Sequence, residues 1–176
     1  MTKSKWTSRI VGHGRVDPES LTGNPQNFRR HPQVQRDVLA ASIRELGFVK
    51  SVLVSTSTNY VVDGHARVWA ALDEKQRLEQ AGLDSSGVLI DVEYIDLSPE
   101  EEKKALLILD KISELATVDA DPLDDLLREV QTGEEAIAKL LDEMATDAGI
   151  LDGAEDELDE PSGEGKTTCP ECGHQF

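Results

Sequence analysis

The chain has 176 residues, 38% of them hydrophobic, and a formal net charge of −17. That length and apolar content suit one ordinary core with a small appendage. The charge excludes a protein that coats nucleic acid by bulk electrostatics, which needs an excess of Lys and Arg on some surface. No apolar run approaches the roughly 20 residues of a membrane-spanning helix, and the polar Met1-Thr2-Lys3-Ser4-Lys5 does not read as a secretory signal. A soluble, cytoplasmic protein without a membrane partner is therefore expected. Charge is uneven: Arg15, Arg29, Arg30, Arg36, Arg44 and Lys50 fall in the first 50 residues, whereas Asp and Glu dominate from Asp96 onward. A basic site on an acidic body is consistent with that pattern.

Residues 8–16 read as a short strand, followed by a stretch in which Pro18, Gly23, Pro25 and Pro32 block regular structure. Asn24-Pro25-Gln26-Asn27-Phe28-Arg29-Arg30 accordingly lies on a loop. Val34, Val38, Leu39, Ile43 and Leu46 recur at helical spacing, with Gly47 placed to end that helix. Residues 51–54 and 60–62 flank a polar connection and predict a β-hairpin. Residues 68–80 read as a helix and 88–95 as a further strand. Ser98-Pro99-Glu100-Glu101 is a strong helix start, with a capping Ser, Pro at the first helical position and acids against the positive end of the dipole. That helix is expected to run to about Leu115; Asp121-Pro122 opens another, and Thr132-Gly133-Glu134-Glu135 a third with Ile137, Leu140, Leu141 and Met144 on one face.

Asp152 to Gly165 is acidic and nearly free of large apolar residues, so burial cannot repay its ordering entropy, and a flexible linker is expected. Beyond it, Cys169-Pro170-Glu171-Cys172-Gly173-His174 has the look of a zinc knuckle, with Cys169, Cys172 and His174 as ligands to Zn²⁺. The set is incomplete, because a structural zinc site takes four ligands and the chain has no other Cys. A homodimer sharing one zinc ion, another protein, or additional sequence would complete it; an unmetallated tail is the alternative.

The most informative stretch is Asp63-Gly64-His65-Ala66-Arg67, between the strand-like Tyr60-Val61-Val62 and the helix-like Val68-Trp69-Ala70-Ala71-Leu72. A turn there leaves the unpaired N–H groups of a helix start beside an Arg and a His, which is an anion or phosphate site in outline. The alternative is purely structural, with Asp63 capping the helix and His65 and Arg67 paired to neighbouring acids. Trp69, in an apolar helical run, is expected to pack in the core and not to stack on a base.

The ordered runs Asn24-Pro25 through Arg29, Leu39 through Val54, and Tyr60-Val61-Val62-Asp63-Gly64-His65-Ala66-Arg67-Val68-Trp69 resemble the N-terminal domain of ParB and the wider ParB/sulfiredoxin superfamily. The resemblance covers residues 8–97. It implies an α/β fold, a small mixed sheet with packed helices, followed by an α-helical extension and a flexible tail. It also implies that Gly64, His65 and Arg67 bind nucleotide phosphates, joined by Asn27, Arg29 and Arg30 from the loop and by Ser42 from the first helix. A nucleoside triphosphate with Mg²⁺ is the implied ligand. The Gly-Glu-Arg-Arg type motif of segregation ParB proteins is replaced by Gly64-His65-Ala66-Arg67, and the catalytic Cys of sulfiredoxins is missing. Gly-His-X-Arg is typical of a phage and mobile-element branch often found beside or fused to DNA methyltransferases.

Three function classes follow: a nucleotide-binding switch in a DNA transaction, an enzyme such as a nuclease, nucleotidase or kinase with His65 or Asp63 handling protons, and an adaptor recruiting a DNA-modifying or DNA-packaging partner. The expected units are 8–97 for the nucleotide-binding domain, 98–148 for the helical extension, 149–166 for the acidic linker and 167–176 for the tail. After Lys111 the helical stretch offers only Arg128 and Lys139 as cations, which argues against independent reading of DNA and for DNA contact through a partner protein.

Overall fold

The computed structural model describes residues 6–150; Cys169, Cys172 and His174 lie outside them. Alternation of apolar and polar residues builds a mixed sheet from β1 (Ile10–Val16), β2 (Val52–Ser55), β3 (Val61–Asp63) and β4 (Ile90–Ile95), in the spatial order β1-β4-β2-β3. β4 runs antiparallel to β1 and parallel to β2, and β2 and β3 form the expected hairpin. On one face, Val52, Val54, Ile90 and Val92 are almost wholly buried. On the other, the register sets Arg15 across from Asp91 and His13 across from Glu93, an exposed polar face of little energetic weight.

The described residues also form five helices, α1 (Gln33–Leu46), α2 (His65–Gln80), α3 (Pro99–Ser113), α4 (Ala120–Glu129) and α5 (Glu135–Asp147), and a short 3₁₀ turn at Pro18–Ser20. Val68 and Ala71 on α2 join the buried valines and Ile90 in one core, with Phe48 and Leu72 against its rim. α1 packs on α2, α5 on α1, and α4 on α5. Arg44 near the end of α1 pairs with Glu134 at the start of α5 at 2.6 Å, tying the helical extension to α1.

α3 starts where the sequence predicts, by a capping box in which Ser98 Oγ accepts the Glu101 N–H and the Glu101 carboxylate accepts the Ser98 N–H. Arg9 adds a two-pronged contact to the same carboxylate. The Ser98 backbone N–H first, and then Arg9, hold the Glu101 carboxyl down to about 2. α1 ends at Gly47, whose φ of 78° is the left-handed value the sequence anticipates for a stop. β4 is shorter than expected, beginning at Ile90 and not at residue 88.

Ile90 is fully buried at the centre of this core. Ile90→Ala is expected to cost about 2–5 kcal/mol of unfolding free energy in urea titration, through lost transfer energy and a residual cavity.

Candidate functional site

α2 begins at His65, three residues earlier than the apolar run suggests. The cause is Gly64, which caps the helix at φ 98°, ψ 19° and turns the chain from β3 into α2 within one residue. A Cβ at Gly64 would stand 2.9 Å from Arg67 Nη2 and 3.0 Å from Val52 Cγ2, so both conformation and space demand glycine. Asp63 is therefore not the cap. No side chain caps α2 and no acid lies in its first turn, leaving the first-turn N–H groups and the positive end of the dipole unshielded by this helix's own side chains.

Asp63 instead pairs with Arg67, whose Nη2 lies 3.0 Å from Asp63 Oδ2 and donates also to the Ser51 carbonyl at 3.1 Å. Lys50 Nζ stands 3.6 Å from the same Asp63 oxygen. Arg67 Nε is buried and has no hydrogen-bond partner.

His65 is 8% exposed. Its Nε2 accepts the Asn24 backbone N–H at 3.1 Å, a contact that requires the unprotonated nitrogen and assigns the proton of the neutral ring to Nδ1. Burial pushes its pKa down, with the Asp63 carboxylate opposing in part. Asn24 Nδ2 then donates to Glu102 Oε1 at 2.6 Å, and Thr58 Oγ1 donates to Glu102 Oε2 at 2.7 Å. This buried network joins the loop before α1, the β2–β3 turn, the start of α2 and the first turn of α3.

The Gly64 turn opens into a cavity of about 490 Å³ lined by the loop, α1, the start of α2 and α3. Of the residues predicted from sequence, Asn27, Arg29, Ser42, Asp63, Gly64, His65 and Arg67 all line it. Arg30 does not; it is exposed and borders a neighbouring depression with Phe28 and Lys111. Sequence reasoning missed Lys50, and it missed the wall contributed by α3, Leu106, Asp110, Ser113 and Glu114. Arg29 faces that wall, its Nε 3.0 Å from Asp110 Oδ2 and its Nη1 3.6 Å from Glu114 Oε1.

Trp69 is half-buried, not part of the core beneath the sheet. It packs edge-on against His31 at 5.4 Å and under the Arg36 guanidinium at 5.2 Å, because its position on α2 turns it toward α1. Among the described residues, no helix is long and apolar enough to cross a membrane, and no group of three or more metal-ligating side chains is gathered.

No protein-family profile matches the chain, and no curated protein matches it. Among solved structures, the chain is similar to the C-terminally truncated chromosome-partitioning protein ParB from Caulobacter crescentus complexed with CTP-γ-S. The identity is 23%, the TM-score 0.46, and the match covers 74% of this chain and 71% of that one. A Pnob8-like ParB-N domain is similar at 13% identity and a TM-score of 0.40, over 78% of this chain and 49% of that one. With TM-scores below 0.5 and identities below 25%, the functional reading rests on this chain's own residues.

Gly64→Ala is expected to lower stability by about 1 kcal/mol or more, since it forces a left-handed alanine against Arg67 and Val52; thermal unfolding measures it. His65 also makes stability pH-dependent. Its folded pKa lies below the ordinary 6.5, so the unfolded chain takes up the proton first, and stability falls as pH drops below about 6.5. Glutamine can supply an acceptor without titrating, so His65→Gln should show a shallower loss than the parent chain over that window in denaturant titrations at stepped pH.

Proposed function

We propose that this chain is a ParB-like protein that binds a nucleoside triphosphate in the Gly64 cavity and acts in a DNA transaction. The observation that carries this reading is the start of α2, which has no side-chain cap, opening into a cavity that also presents Arg29, Lys50 and Arg67. Helix N–H groups and guanidinium forks are the standard means of holding phosphate oxygens. The buried, unpartnered Arg67 Nε leaves a donor without an acceptor, and a Cβ at Gly64 would intrude on that guanidinium. The order of motifs along the chain supports the same ligand.

Charge balance in the cavity supports Mg²⁺ as a companion. Its cations Arg29, Lys50 and Arg67 are matched by the carboxylates of Asp63, Asp110 and Glu114, so a triphosphate arrives as uncompensated negative charge. Mg²⁺ accompanying the triphosphate would supply the missing compensation. In this reading His65 and Asp63 hold the turn: one accepts from Asn24 and the other from Arg67.

The Gly-His-X-Arg motif favours the phage and mobile-element branch, with a DNA methyltransferase or other phage protein as partner. The cation-poor stretch after Lys111, with only Arg128 and Lys139 in α4 and α5, favours DNA contact through that partner. A homodimer joined through zinc at the tail belongs to the same proposal.

Isothermal titration with CTP, ATP, GTP and ADP, each with Mg²⁺, tests it. At least one triphosphate should bind, and Arg67→Ala and the less buried Arg29→Ala should each weaken it by about tenfold or more, the loss of a charged hydrogen bond. A folded chain that binds none of them would overturn the nucleotide reading and leave the adaptor role.

A further inference from the structure

A second cavity, of about 450 Å³, lies between α1 and α2 and shares no lining residue with the Gly64 cavity. From α1 the Gly64 cavity takes Gln35, Val38, Leu39 and Ser42, whereas the second takes Arg36, Asp37, Ala40, Ile43 and Arg44, a different face of the helix. Its volume falls in the range of small-molecule sites. The space exists because alanines line both helices there, Ala40 on α1 and Ala70 and Ala71 on α2, while Ile43, Phe48 and Val88 form apolar walls. Protein interiors ordinarily fill such volume with side chains.

Three arginines border this cavity, and they differ in their partners. Arg44 is held by both carboxylate oxygens of Glu134, and Arg77 by both of Glu74. Arg36 makes no side-chain hydrogen bond or ion pair among the described residues; it lies over Trp69, and its Nε is buried without a partner. A buried guanidinium N–H without an acceptor is costly unless a ligand supplies one.

We propose that the α1–α2 cavity is a second ligand site, for a small monocarboxylate with an aromatic or branched aliphatic body. Arg36 takes the carboxylate, whose planar pair of oxygens matches the guanidinium fork. The apolar body lies on Ile43, Phe48 and Val88. With Arg44 and Arg77 already paired to Glu134 and Glu74, Arg36 is the one cation of this lining without an ion-pair partner among the described residues, which suits a ligand bearing a single negative charge and not a polyanion. The ligand is thus of a different class from the one assigned to the Gly64 cavity, and the inference does not depend on that assignment.

Trp69 beneath Arg36 supplies the readout. The chain's only other Trp is Trp6, so a Trp6→Phe background isolates the Trp69 fluorescence. Phenylacetate and 3-methylbutanoate are titrated into the full chain at pH 7, with phenylacetamide as the neutral isostere of the first. The expected result is a saturable change with at least one carboxylate, about tenfold weaker or absent with the amide and in Arg36→Gln. Ala70→Leu, which fills the cavity and leaves Arg36 in place, should abolish the response as well; circular dichroism confirms that both variants fold. No saturable response to either carboxylate, an equal response to the amide, or unchanged binding in folded Arg36→Gln would overturn the proposal.

Discussion

A buried carboxylate has to be satisfied, and in this chain Glu102 is that carboxylate, held between a side-chain amide and a hydroxyl. It is 4% exposed and accepts from Asn24 on one oxygen and Thr58 on the other. Asn24 in turn presents its backbone N–H to His65. Four segments far apart in sequence are therefore held in register by a handful of hydrogen bonds, and the cost of leaving any one of these polar groups unpaired keeps them there. The cavity beside Gly64 is the space those segments enclose. Its geometry is set less by the residues that face it than by the polar groups buried behind it.

Arginine side chains give the two cavities their chemical character. Three arginine Nε atoms are buried without a hydrogen bond among the described residues: those of Arg29, Arg36 and Arg67. Arg29 still has Asp110 at 3.0 Å as a charge partner. Arg67 and Arg36 retain an unanswered donor each, and each borders its own cavity, one opening on a helix start and the other walled by aliphatic and aromatic carbon. The same functional group thus stands in different fields and against different surfaces, which is the ground on which different ligands are proposed for the two cavities.

Local signals in the sequence were sufficient for much of this. The capping Ser98 and the glycine stop after Leu46 depend on residues within one turn of each other, and both stand in the structure. The β2–β3 hairpin was legible for the same reason. The start of α2 was misplaced because hydrophobic periodicity begins at Val68, whereas Gly64, through its backbone conformation, begins the helix at His65. Seven of the residues singled out in the sequence line one cavity, but the α3 wall did not announce itself: Asp110 and Glu114 read as ordinary helix-surface acids until the fold sets them against Arg29. Asn24 and Glu102 were invisible as a pair, being 78 positions apart and of residue types usually found in solvent.

The sheet order carries a consequence for how the chain acquires its shape. Among the described residues β1 is the first strand in sequence, yet its only strand partner there is β4: Val16 pairs with Ile90, and Ile10 with Ile95. During synthesis β1 emerges with nothing to pair against, while the β2–β3 hairpin, a local contact, forms as soon as both its strands are available. The sheet closes only when β4 has been made and has slotted between β1 and β2. Completion of the sheet during synthesis thus waits on the insertion of a central strand, and until then the edges of β1 and β2 that β4 will cover stay open to every other chain in the surroundings.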